Sequence, residues 1–140
     1  MSGPVFFTDR DLGKQFPAAL VAAGLSVERH GDLFPPDGTD EQWLAHVGKY
    51  GRIALTHNER IRYTPNELSA VVHHDVALFV IVGKAPLPRL ASNFIATMPA
   101  IMSFISNHSP PYIAKVYQAR PEALARNPSA HGSVSLWYPE

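Results

Sequence analysis

The segment VALFVIVG, residues 76–83, has no charged or hydrogen-bonding side chain on either of its two faces. Side chains of a strand alternate between faces, so a strand of this composition needs apolar cover on both sides. That is the setting of a central strand in a parallel sheet with helices packed above and below. The rest of the chain supplies what such a sheet requires. PVFFT (4–8), SVERH (26–30), RIALTH (52–57) and PYIAKVYQ (111–118) read as further short strands.

Helical segments fall between these strands. In DLGKQFPAALVAAGL, Leu12, Phe16, Leu20 and Ala23 recur at helical spacing, Pro17 marks a break or first turn, and Gly24 is placed to close the helix. GDLFPPDG is a loop by composition. TDEQWLAHVGKYG opens with a capping box, Thr39 with Gln42, turns Trp43, Leu44 and Val47 inward and ends at Gly51. TPNELSAVVHH predicts a second capping box from Thr64 and Glu67, with Pro65 at the first helical position. PLPRLASNFIATMPAIMSFISNH predicts a long apolar helix interrupted at Pro99, with Phe94, Met102 and Phe104 on apolar turns rather than on a base-stacking surface. The expected architecture is α/β: a mainly parallel, five-stranded sheet with helices on both faces. One domain is expected over residues 1–140, with a core at 4–118 and a C-terminal extension at 119–140, where SVSLWY could add an edge strand or pack as a tail.

Lys plus Arg and Asp plus Glu number 12 each, which argues against bulk polybasic binding of nucleic acid but permits a local basic patch. With no cysteine, disulfides, thiolate zinc sites and cysteine nucleophiles are excluded. MSGPVFFTDR lacks the features of a signal peptide, and FIATMPAIMSFI (94–105) is too short for a bilayer span of roughly 20 residues. A soluble, cytoplasmic protein without a membrane partner is expected.

In a parallel sheet the ligand site lies beyond the carboxyl ends of the strands. Those positions here hold Asp9-Arg10-Asp11, Asp40-Glu41 and His57-Asn58-Glu59-Arg60. Carboxylate and amide oxygens suit Mg²⁺ or Mn²⁺, and Arg10, Lys14, Arg60 and Arg62 are near enough in sequence to contact phosphate. Each acid also has a bland explanation, since Asp40 and Glu41 suit a first helical turn and Asp9 suits a strand end. The coincidence of three segments raises the functional reading.

FFTDRDLG, DEQWLAHVGKYG and IALTHNERIR, in this order, resemble the PIN-domain nucleases, in particular the short VapC-type toxins of toxin–antitoxin pairs. Asp9 matches the Asp that ends the first strand, Asp40 the Asp opening a D-x-x-x-x-A helix with Ala45, and Thr56-His57-Asn58 the T-x-D or T-x-N close of a strand. The resemblance covers roughly residues 4–83. It implies a metal-dependent endoribonuclease acting on RNA, with a cognate antitoxin and compatible with a homodimer. Asp9, Asp40 and Asn58 would hold Mg²⁺ or Mn²⁺, Asp11, Glu41 and Glu59 would support them, and Arg10, Lys14, Arg60 and Arg62 would bind phosphate. Two departures stand out. Asn58 replaces the more frequent Asp, and none of Asp11, Glu28, Asp32 and Asp37 lies in a clear helix where a further acid is often found. These departures support a second reading, a weakened PIN-like module that binds RNA or protein. A haloacid-dehalogenase-like phosphatase would use Asp9 as nucleophile and Asp11 as acid, but Lys84 is not followed by the acidic pair that chemistry needs. Of the seven histidines, His57 is the one expected to touch substrate, while His73 and His74 suit a helix end.

Overall fold

A computed structural model describes residues 3–140. Six strands form one sheet in the order β2-β1-β3-β4-β5-β6. They are β1 (Val5–Thr8), β2 (Ser26–Arg29), β3 (Ile53–Thr56), β4 (Ala77–Ile81), β5 (Tyr112–Tyr117) and β6 (Ser133–Tyr138). The first five are mutually parallel, and β6 pairs antiparallel with β5. SVSLWY therefore extends the sheet, giving six strands where five were expected. Among the described residues seven α-helices connect them: α1 (Gln15–Ala22), α2 (His30–Leu33), α3 (Asp40–Tyr50), α4 (Pro65–His73), α5 (Leu87–Ala96), α6 (Met98–Asn107) and α7 (Pro121–Arg126).

The alternation of the strands divides the core in two. Phe6, Leu55, Phe79 and Ile81 point to the face covered by α1, α5 and α6, where Phe6 meets Phe94 edge-on at 5.6 Å. Phe7, Ala54, Leu78 and Val80 point to the face covered by α3 and α4, where Phe7 stacks on Trp43 at 5.4 Å. All five residues of β4 are buried, as its two-faced apolar sequence demands.

Several local expectations change in detail. The first four residues after SVER are helical (α2), so only the Pro-rich remainder of GDLFPPDG is loop. The long apolar helix is two helices separated at Thr97, whose buried hydroxyl donates to the Asn93 carbonyl at 2.6 Å, and Pro99 sits in the first turn of the second. The Gln42 side chain accepts from the Thr39 amide at 3.2 Å, as the first capping box predicts. The second capping box does not form. Thr64 Oγ1 donates instead to the Arg60 carbonyl at 3.0 Å. No helix of the described residues is long and apolar enough to cross a membrane.

Candidate functional site

From β1 the chain crosses to β2 on one side and, later, β3 takes the other side, so β1 and β3 form the point where strand order reverses. Clefts open at such points because successive connections leave in opposite directions. An open cleft of about 520 Å³ lies there, lined by Asp9, Arg10, Asp11, His30, Pro36, Gly38, Asp40, His57 and Asn58.

Asp9 is fixed by its backbone, its N–H donating to the Leu55 carbonyl at 3.0 Å, which continues the β1–β3 pairing one step past the strand. Its Oδ1 accepts from the Arg10 amide at 2.7 Å and its Oδ2 from the Thr56 hydroxyl at 2.9 Å. The same hydroxyl lies 3.2 Å from Asp11 Oδ2 and accepts the Asn58 amide at 3.1 Å. Asp11 also takes the His57 amide at 3.1 Å. A hydroxyl has one proton to donate. Two carboxylates sharing it therefore call for one more positive charge, a proton or a cation. Burial first, and the Asp11 charge second, push the Asp9 carboxyl up from 3.8 to about 7. Asp11 is also raised, by the protein packed around it, although it reaches solvent at the rim.

Across the cleft, the first turn of α3 presents Asp40. Its Oδ1 accepts from the indole N–H of the fully buried Trp43 at 2.9 Å, so the core that packs on Phe7 also aims this carboxylate. Behind it stands Glu67 of α4, whose carboxyl is pushed up to about 7, by burial first and then by the neighbouring Asp40 carboxylate. Glu67 was read from the sequence as a capping residue. The T-P-N-E pattern suited a cap, and nothing in it pointed from Glu67 to Asp40, 27 positions earlier. Glu67 sets another acid beside Asp40, but from α4, after β3, and not from the stretch between β1 and α3 that holds Asp11, Glu28, Asp32 and Asp37. Asp32 does lie in a helical turn, α2, but turns to Arg29 at 3.8 Å.

The structure thus gathers Asp9, Arg10, Asp11, Asp40 and Asn58 around one cleft. Arg10 is steadied by a 2.7 Å bond from Nη2 to the Phe34 carbonyl. Asn58 uses Oδ1 to accept the Arg60 amide at 3.0 Å, so its side chain caps the turn that follows. His57 is pinned with Nε2 2.8 Å from the Gly83 carbonyl. Other predicted residues lie elsewhere. Lys14 lines a side cleft, and Glu59 another beside Lys84. Glu41 is exposed on α3, and Arg60 is exposed after β3. Arg62 points to the C-terminal strand, bonding Glu140 at 2.9 Å and lying 4.8 Å over the Tyr138 ring.

His30 is the second residue that sequence reasoning passed over. It is 4% exposed, lines the cleft, and its Nδ1 is buried without a hydrogen-bond partner. Burial, and then Arg10, lower its pKa and keep the ring neutral. Its only sequence signal was its place at a strand's end.

A family model described as a PIN like domain matches residues 4–83, the segment that contains β1 to β4 and every wall of this cleft. The chain belongs to the PIN-like domain family. PIN-like domains are generally nucleases, so the sheet and its acidic cleft form a nuclease-type fold. Neither a curated protein nor a solved structure matches the chain.

Proposed function

We propose that this PIN-like protein is a Mg²⁺- or Mn²⁺-dependent endoribonuclease, the toxin of a type II, VapC-like toxin–antitoxin pair, working in the cytoplasm. The observation that carries the nuclease reading is the shared Thr56 hydroxyl, with Asp9 and Asp11 crowded around it opposite Asp40. The donors fit a hard cation. They are all oxygens, they carry surplus negative charge, and Mg²⁺ is commonly held by one or two carboxylates plus waters and substrate phosphates. Among the described residues no group of three acidic or histidine side chains is placed to hold a metal ion, so waters and a substrate phosphate would have to complete its shell. Asp9 and Asp40 would hold it, with Asn58 completing or orienting the shell. Bound there, it would supply an activated water and offset charge on the phosphodiester.

The chain's own groups do the rest. Arg10, braced on Phe34, presents its remaining N–H groups to phosphate. The Thr56 hydroxyl and the Arg10 amide hold the Asp9 carboxylate in place, and Trp43 holds that of Asp40. The toxin role rests on the likeness of the three motifs to VapC-type proteins; a cognate antitoxin and RNA are the partners it entails, and a homodimer is compatible with it. Induced expression in a bacterium, with total RNA examined on gels, tests both parts. Growth arrest with RNA fragments is expected from the parent and neither from Asp9→Asn. RNA cleavage by purified protein without growth arrest would refute the toxin part alone. A second reading, a PIN-like module that binds RNA or protein without cutting, is favoured by Asn58 Oδ1 being engaged as a cap. No cleavage in Mn²⁺ alongside retained RNA binding would establish it.

A further inference from the structure

Beside the acidic cleft is a smaller one of about 170 Å³, lined by Thr8, Asp9, Arg10, Gly13, Lys14, Arg29, His30 and Gly31. The two share one wall, made of Asp9, Arg10 and His30. Their charges differ in kind. The larger cleft gathers three acids, whereas the smaller gathers three cations, Arg10 and Lys14 from the β1–α1 connection and Arg29 from the end of β2, against Asp9 alone. We propose that the small cleft is a phosphate pocket, in which Lys14 and Arg29, with the outer edge of Arg10, hold one phosphate group of a single-stranded RNA whose neighbouring phosphate lies at the acids. This deepens the ribonuclease reading and rests on it for the second half of that statement.

Size limits the occupant. A water takes about 30 Å³ of liquid, so the cleft has room for roughly five or six, enough for a phosphate and a bridging water but not for a nucleoside. The cations have capacity to spare. Among the described residues Arg29 forms one ion pair, with Asp32 at 3.8 Å through Nε and with both side chains partly in solvent, a contact of little strength. Arg10 spends Nη2 on Phe34, which orients the guanidinium and leaves its other donors in the wall. Two glycines line it without side chains: Gly31, where a Cβ would make ordinary contact with Arg10 Nη1 at 3.5 Å, and Gly13, at φ +66°, where a side chain would be strained. The shared wall also contains His30, nine-tenths buried with Nδ1 unpartnered, which leaves one hydrogen-bonding position of the wall open to a bound group.

The test is RNA binding in EDTA, which needs no catalysis. Fluorescence anisotropy with a labelled single-stranded oligonucleotide would compare the parent with Lys14→Ala/Arg29→Ala over a salt series. A second variant, Lys14→Ala/Arg29→Gln, preserves the strand-end side chain in case alanine unsettles β2. The control is Lys49→Ala/Arg126→Ala, with the same loss of charge away from both clefts. Affinity is expected to fall on the order of tenfold in both test variants. The slope of log K against log salt is expected to become shallower by about 0.7, the value for one phosphate on a single strand. Running 5′-phosphorylated and 5′-hydroxyl oligonucleotides side by side identifies the source. An equal loss locates an internal diester, and a loss confined to the phosphorylated one locates a terminal monoester; either supports the pocket. Parent-like affinity and slope in the test variants, or an equal loss in the control, overturns it. Failure of the parent to cleave RNA in Mn²⁺ would refute the ribonuclease reading while leaving this binding result standing.

Discussion

Replacing Asp9 by Asn should make the metal-free protein more stable, in a way that depends on pH. The Asp9 carboxyl titrates at about 7 in the fold against 3.8 as its ordinary value, chiefly because it is buried and then because Asp11 is beside it. Below pH 4 both the folded and unfolded chains keep this proton, and the group costs nothing. Between pH 4 and 7 the unfolded chain has released it and the folded one has not, so stability falls as pH rises. Above 7 the penalty is complete. Roughly 3 units at about 1.4 kcal/mol each set a ceiling of about 4 kcal/mol. Asp9 is only partly shielded and its charge is relieved by water at the cleft, so about 2 kcal/mol is the realistic gain on removing it. The hydrogen bonds survive the change. Asn Oδ1 can accept the Arg10 amide, Nδ2 can donate to Thr56 Oγ1, and the Thr56 hydroxyl is then free to donate to Asp11. For a chain of this size the gain corresponds to a rise in Tm of about 8 °C. Urea denaturation in EDTA at pH 4.5 and pH 8 measures it, and a large gain is expected only at pH 8. An equal gain at both pH values, or none at pH 8, would show that the carboxyls around Thr56 are not crowded and would remove the physical argument for a cation there.

Further outcomes follow from the same geometry. Calorimetry with Mn²⁺ should show binding by the parent and none by Asp9→Asn, and Mn²⁺ should raise the Tm of the parent alone. Asp11→Asn retains an acceptor for the His57 amide, so RNA cleavage should fall by about tenfold, within the usual range for a group that orients a ligand, where Asp9→Asn abolishes it. Gly48→Ala would bring a Cβ to 2.1 Å from the His74 carbonyl, where α3 runs against the end of α4. Chemical denaturation should show a loss of about 1–3 kcal/mol, the usual cost of overpacking. Phe7→Ala removes the ring stacked on Trp43 and should cost about 3–5 kcal/mol by the same assay.

The chain's local order was legible in its sequence. Periodicity of two or 3.6 is a property of neighbouring residues, so VALFVIVG declared a two-faced strand, TDEQWLAHVGKYG a capped helix, and Asp9, Asp40 and Asn58 their places at strand and helix ends. The side-chain encounters were not legible, because they join residues far apart in the chain. Thr56 reaches Asp9 and Asp11 across 47 and 45 positions, and only the β1–β3 pairing makes their hydroxyl and carboxylates meet. Glu67 read as a cap because a capping box is a four-residue pattern, whereas its approach to Asp40 depends on how α3 packs on α4. Arg62 lay four residues beyond Asn58 in sequence, yet pairing of β6 with β5 brings Tyr138 and Glu140 to it and draws it away from the cleft. Sequence fixes which residues stand at the carboxyl edge of the sheet. Which of them share a proton, a wall or a partner is decided by the packing of elements whose contacts no local pattern encodes.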